Sequence, residues 1–393
     1  MIKKILPAMI GAALVGGMAN ATADVTAMGH IDTSILYRDL DISGVDSTTN
    51  LNCTTCSFGF KGSEDLGNGL KAIFKIDFQY NTTERNRTQG GRSANVTATT
   101  TTTTTGGALV TNTGVVIGQA TDVSKGTSSL TDRDQWLGLD SGFGKLRIGT
   151  ISTSYKSHGA MIDPVYRTSV QGRTVGLQSV LQLGAGDSGQ GRATNTFRYD
   201  SPTFAGITAT GHYTMQDDNG TDSTDNPWGL GGQWKAGGFL VFADYITSDA
   251  GGDDDAFKVG GRWGFDKFAI FGQYEDDGGA ISGRTSLVTN EGVIQWQEIR
   301  GSGDGADTWF IGGTAGFGNN LIYAAYGQQS DGAASFETGD FEGESVNTKN
   351  DSWSIVGVHS MSKRTKLYAG YVQTDYDKLD KITDFSLGIK HTF

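Results

Sequence analysis

This chain lacks long hydrophobic runs. After Ala23 there is no stretch of about 18 consecutive apolar residues, which excludes a membrane-spanning helix. Proline is scarce, with 4 in 393 residues against 59 glycines, and Thr and Tyr are frequent. That balance suits many strands joined by tight turns. Cysteine is confined to Cys53 and Cys56, in CTTC. A c-type haem would need His at position 57, which is Ser. A zinc centre needs four ligands, and no second Cys pair exists. A thioredoxin-type motif opens a helix, and no helical pattern follows. A local disulfide or two free thiols near an external loop remain. In an extended strand, residues three apart have Cα atoms roughly 10 Å apart, beyond disulfide reach, so a bond here requires the chain to turn.

Positive charge is also in short supply: 31 Lys and Arg face 43 Asp and Glu, a formal net charge of −12. This balance argues against a nucleic-acid partner. No GxSxG, HExxH or P-loop occurs, and none of His30, His158, His212, His359 and His391 lies in a nucleophile motif. The expectation is therefore no enzyme, no metal and no cofactor. The acidic run Asp217 to Asn226 lacks the helices, apolar position and final Glu of an EF-hand, and reads as a solvated loop tip. Thr97 to Thr105 is low-complexity and is expected at a mobile loop tip.

At the N-terminus, Lys3 and Lys4 precede an apolar stretch from Ile5 to Val15 and a small-x-small site at Ala21-Thr22-Ala23. This is the pattern of a cleaved secretory signal, residues 1–23, leaving 24–393 as a single domain without a linker. Loss of Lys3 and Lys4 takes the net charge from −12 to −14. At the other end, Phe385, Leu387, Ile389, His391 and Phe393 share one face of an alternating run. Period 2 is the strand period. A closing strand that ends on an aromatic ring suits a membrane interface, and Phe393 resembles an assembly signal for outer-membrane barrels.

Alternating segments recur at 25–40, 51–63, 69–80, 131–140, 145–152, 191–200, 206–216, 228–236, 238–248, 255–264, 267–276, 307–317, 320–330, 351–360, 365–375 and 382–393. Their separators alternate between short and long, as in an outer-membrane barrel with tight periplasmic turns and longer external loops. An even count lets the first strand pair with the last and remove the sheet edge, which lipid requires. The phase agrees: Val25, Ile31, Ile35 and Tyr37 share one face, and His30, Asp32, Ser34 and Arg38 the other. The competing reading is an antiparallel sandwich with one wet face.

FGFKGSEDLGNGLKAIFKID at 58–77, DQWLGLDSGFGKLRIGT at 134–150, RATNTFRYDSPTFAG at 192–206, SKRTKLYAGY at 362–371 and GIKHTF at 388–393 resemble strands and turns of Gram-negative general porins. Regions 81–130 and 277–306 have no recognisable counterpart. The resemblance implies a sixteen-stranded antiparallel transmembrane β-barrel in the outer membrane. It also implies a homotrimer amid lipid and lipopolysaccharide, with a third external loop (loop 3) folded into the lumen. It implies passive diffusion of small hydrophilic solutes and ions through a waist where basic wall residues face acids of that loop. Matched position by position, it assigns Arg133, Arg192, Arg198, His30 and Lys61 to the basic side. Asp163, in Asp163-Pro164-Val165-Tyr166, and Asp187 fall on the acidic side. Ser57 departs from the pattern, standing where the family usually has arginine. That loss, together with external-loop acids such as Asp217, Asp218, Asp253, Asp254 and Asp276, predicts a modest cation preference. The rivals are a substrate-specific channel and a non-transport β-rich adhesin or anchor.

Overall fold

The computed structural model describes residues 23–40, 47–83, 98–105, 108–115, 130–179, 191–215, 226–247, 255–278, 284–290, 293–299, 307–330, 349–376 and 381–393. The wall begins with β1 (Ala23–Leu40), β2 (Thr48–Cys53), β3 (Ser57–Gly67) and β4 (Leu70–Tyr80). Two short strands, β5 (Ala98–Thr105) and β6 (Ala108–Val115), form a separate hairpin before β7 (Leu130–Ser141), β8 (Gly144–Ser152) and β9 (Arg192–Asp200). Then come β10 (Ile207–Thr214), β11 (Trp228–Ala236), β12 (Phe239–Thr247), β13 (Asp255–Phe265) and β14 (Phe268–Asp277). A second separate hairpin, β15 (Arg284–Asn290) and β16 (Val293–Ile299), precedes β17 (Thr308–Phe317), β18 (Asn320–Gln329), β19 (Asn350–Ser360), β20 (Thr365–Tyr376) and β21 (Ile382–Thr392).

Every wall pairing is antiparallel, and the ring closes where β1 meets β21, from His30↔Thr392 to Leu40↔Ile382. Seventeen segments share this sheet, but β2 and β3 pair with successive halves of β1 and occupy one place. The result is the expected sixteen-stranded barrel. The interruption is the CTTC motif. Cys53 and Cys56 are disulfide-bonded, with Cα atoms 5.8 Å apart, and Thr55 between them has φ +51°. The bond is local and the chain turns there, as its spacing requires.

The C-terminal residue takes part in the seam. Gly29 and Phe393 exchange two backbone hydrogen bonds of 3.0 Å. The Phe393 ring lies over Gly29, where a Cβ would collide with it. Toward the other end of the seam, two register steps from Leu40↔Ile382, Arg38 grips Asp384 through two bonds of 2.7 Å. A planar guanidinium suits this bidentate geometry.

Alternation sorts the two faces as the sequence indicates. Val25, Ile35, Leu137, Leu230, Ile311, Ile355 and Leu387 point outward, each at least half exposed. His30, Asp32, Ser34, Asp77, Thr210 and Ser386 point inward and are buried. Aromatic rings cluster at both ends of the outer wall. Phe239, Trp263, Phe265 and Phe268 form a chain at the short-turn end. The pairs Trp228–Tyr245, Trp309–Tyr326 and Trp353–Tyr371 lie toward the long connections. Such girdles mark the two membrane interfaces of an outer-membrane barrel.

One sequence expectation gains detail and another changes. Residues 98–105, in the run expected at a mobile loop tip, form a strand paired with 108–115 apart from the wall; Thr has high β propensity, and the partner supplies its backbone bonds. The inner face is also not uniformly polar. Phe242, Phe271, Phe310, Tyr323, Val356, Tyr368 and Val372 point inward and pack on Ile162, Val165, Val170, Val175 and Leu177 of the connection between β8 and β9.

Candidate functional site

The connection after β8 builds the site. It starts with helix α1 (Ser154–Met161), capped by the Thr153 side chain, which accepts from the Lys156 N–H at 3.3 Å. It continues through a turn at Gly172–Thr174 to Ser179. Polar contacts tie it to inward-facing wall residues. Ser169 Oγ bonds Tyr368 Oη at 3.1 Å and Ser386 Oγ at 2.6 Å. Lys390 donates to the Tyr166 carbonyl at 2.6 Å, Thr374 donates to the Val175 carbonyl at 3.1 Å, and His158 Nδ1 lies 2.9 Å from Asp244. Complete burial of five aliphatic side chains from this segment adds on the order of 1.5–3 kcal/mol each. The segment is thus held along its whole described length.

On the facing wall, Arg133 and Asp134 are neighbours in sequence yet both point inward. The register of β4 and β7 jumps between Ile76 and Phe78, so a β-bulge sets two residues of β7 against Asp77. A bulge suspends strict alternation and re-aims a side chain. Arg133 binds Asp77 at 3.1 Å and Gln79 at 2.8 Å. Asp134 accepts from Lys75 at 2.6 Å, from Arg192 at 3.1 Å and from Ser152 at 2.7 Å. A second bulge lies between β8 and β9 near Asn195, with φ +48°. Arg192 therefore reaches Asp134, while Arg198 bonds Asp200 at 2.8 Å and the Ser152 carbonyl. The two arginines that share a face by simple parity have different partners.

His30 and Ser57 sit side by side, Ser57 Oγ lying 3.2 Å from His30 Nδ1. Arg167, from the connection after β8, donates to the same nitrogen at 3.2 Å. The cation missing at position 57 is thus matched by one from the segment. Arg167 and Arg173 both lie over the Tyr166 ring, at 5.4 and 4.7 Å from its centroid. Burial alone would raise the Tyr166 phenol, but Arg173 and Arg167 outweigh it and hold its pKa below the ordinary value. Burial drives the Lys156 ammonium well below its usual range, and Arg192, Arg173 and Arg133 push it further down.

Asp163 has a different setting from the one its motif suggests. It is 7% exposed, and its two carboxylate oxygens accept the backbone N–H groups of Val165 and Gly172, each at 2.9 Å. Burial raises its pKa despite these donors. It braces the segment instead of facing an opening. Asp187, and the acids Asp217, Asp218, Asp253 and Asp254, lie outside the described residues. Lys61 lines a cavity that includes no residue of the connection after β8. Sequence reasoning missed Lys156, Arg167, Arg173 and Asp134. A count of bases as well as acids between 153 and 179 flags the first three. Asp134 was hidden by the bulge.

The profile of the family described as Gram-negative porin matches residues 8–379. The major outer membrane protein P.IB of Neisseria meningitidis serogroup B / serotype 15 (strain H44/76) is 27% identical over 243 residues, 61% of this chain and 57% of that protein. The chain thus matches a little over half the length of this curated relative. The fold is similar to that of an anion-selective porin from Comamonas acidovorans, with TM-score 0.63, 18% identity and coverage of 95% of this chain and 100% of that one. It is also similar to the trimer form of OmpT from Vibrio cholerae, with TM-score 0.57, 12% identity and coverage of 95% and 100%. With a family profile spanning nearly the whole sequence and a closed barrel girdled at both ends, the chain belongs to the Gram-negative porins, β-barrels of the bacterial outer membrane.

Proposed function

We propose that this porin is a passive diffusion channel for small hydrophilic solutes and ions, that residues 153–179 are the loop 3 that narrows its lumen, and that it works as a homotrimer in contact with lipopolysaccharide. Cleavage of residues 1–23 belongs to the same reading. Family membership points to a channel and not an enzyme. The observation that supports the proposal is the packing of Ile162, Val165, Val170, Val175 and Leu177 on inward side chains of the wall, with Arg167 of the same connection reaching His30.

The same geometry argues against the cation preference expected from sequence. Arg167, Arg173 and Lys390 join Lys75, Arg133 and Arg192, while the acids that act on them are Asp32, Asp77, Asp134 and Asp163. Asp77, Asp134 and Asp163 are occupied by donors. A narrow, low-dielectric waist with a cationic surplus concentrates anions. The test is zero-current potential across a salt gradient in a planar bilayer. The expected sign is anion preference; a cation-selective conductance would overturn the assignment of the waist, and no conductance would overturn the channel.

A further inference from the structure

The short-turn end of the barrel carries its charge unevenly. From β11 onward, the turns with their flanking residues 233–242, 260–271, 312–323 and 356–369, together with the final residues 388–393, hold seven Lys and Arg and a single acid, Asp266. The other half of the rim, from β1 to β9, mixes both signs. There Lys145 is bound to Asp140 at 3.3 Å and Arg147 to Asp200, and Lys71 stands in register with Asp65 on one side and Asp140 on the other. Short turns lie on the periplasmic side of an outer-membrane barrel, so the cationic arc borders the periplasmic mouth.

Register shows which of these cations face the lumen, because directly opposed residues of an antiparallel pair share a face. Lys235 and Arg262 both stand opposite Leu240, and Arg262 also stands opposite Phe271. Phe271 belongs to the apolar patch of the inner wall and Leu240 packs against it. Both cations therefore point inward. Lys366 stands opposite Lys390, whose ammonium reaches inward to the Tyr166 carbonyl at 2.6 Å. Lys235, Arg262 and Lys366 are exposed and make no ion pair with a described residue. Like charges directly opposite each other are destabilising, as at Lys366 and Lys390. The apolar side chains between Lys235 and Arg262 supply no counter-charge. Nothing in the packing of the wall accounts for this arc.

We propose that Lys235, Arg262 and Lys366 form an anion-collecting half-ring at the short-turn mouth, a second selectivity element apart from the waist. The proposal deepens the channel reading and rests on it. The half-ring enriches small mobile anions on one side of the mouth, and dianions such as sulfate more than chloride, because the electrostatic free energy scales with the charge of the ion. These side chains stand in open water, so salt screens them. Three unit charges roughly 10 Å from a passing ion, in water at about 0.1 M salt, enrich a monovalent anion about twofold and a dianion about fourfold.

The experiment measures zero-current potentials of the full chain in a planar bilayer, with gradients of potassium chloride and of potassium sulfate. The triple variant Lys235→Gln, Arg262→Gln, Lys366→Gln should lose about half of the anion-to-cation permeability ratio for chloride and about three quarters of it for sulfate at about 0.1 M salt. At about 1 M, where the Debye length is about 3 Å, it should match the wild type. Asp266→Asn removes the one acid of the arc at a turn position with φ +48°, which Asn tolerates, and should move the low-salt ratio the other way. Heat-modifiable migration shows that each variant is folded. An unchanged low-salt ratio in the folded, conducting triple variant overturns the half-ring and leaves the channel. An effect as large at high salt as at low salt also overturns it, because such charges would lie out of reach of bulk ions. A wild-type channel that prefers cations, and prefers them more strongly in the triple variant, overturns the assignment of the waist and leaves the half-ring. A wild-type protein that does not conduct overturns both.

Discussion

Asp163 illustrates how a charged residue in a suggestive motif can serve the backbone. Its carboxylate satisfies two N–H groups that would otherwise be buried without acceptors. Asp163→Ala should therefore destabilise the segment by roughly 1–3 kcal/mol per orphaned donor, seen as a lower urea midpoint in detergent. Conductance noise should rise with little change in the sign of ion selectivity. Arg167 makes the opposite case, because its charge lies beside His30, where Ser57 supplies none. Arg167→Gln should shift the zero-current potential toward cations, most clearly at low salt, where the Debye length is about 10 Å at 0.1 M and longer below. An unchanged potential would show that this guanidinium does not face the ion path.

Among the elements, the connection after β8 is held chiefly by apolar packing. Val170 is fully buried against inward side chains of β19 and β20. A carboxylate there has no partner and cannot remain buried, so Val170→Asp should release the segment and raise single-channel conductance; conductance equal to wild type would mean that the segment does not obstruct the path. The broken second strand yields a milder prediction. The disulfide closes a very short loop, and chain-entropy arguments assign such a crosslink about 2 kcal/mol. The double replacement Cys53→Ser, Cys56→Ser should still fold, with a lower urea midpoint and unchanged ion selectivity.

For the whole molecule, closure is the controlling event. A barrel in lipid tolerates no free edge, and here the last residue completes the seam with both of its backbone groups. Deletion of Phe393 removes two seam bonds and the ring that covers Gly29, so it should lower the yield of heat-modifiable protein in the outer membrane while export across the inner membrane continues. The intact protein should migrate as an oligomer in SDS at room temperature and as a slower monomer after boiling. Identical mobility before and after heating would contradict both the barrel and the trimer.

The sequence by itself determined the barrel. Period-2 alternation, short turns alternating with long connections, an even strand count and a terminal aromatic are local signals, and lipid outside with polarity inside leaves few alternatives. That Arg133, Arg192 and His30 belong to wall strands was legible from short motifs, and all three are buried. What only the tertiary structure decided is which charges meet. Two bulges changed the phase of β7 and β9, bringing Asp134 inward and separating Arg192 from Arg198. The apolar patch of the inner wall was concealed because strands such as β18 are apolar on both faces, with Tyr323 and Ala325 inward and Ile322 and Tyr326 outward. Alternation reports only contrast between faces. The seat of the connection after β8, and with it the set of charges gathered around it, therefore appears only when residues far apart in sequence are brought together.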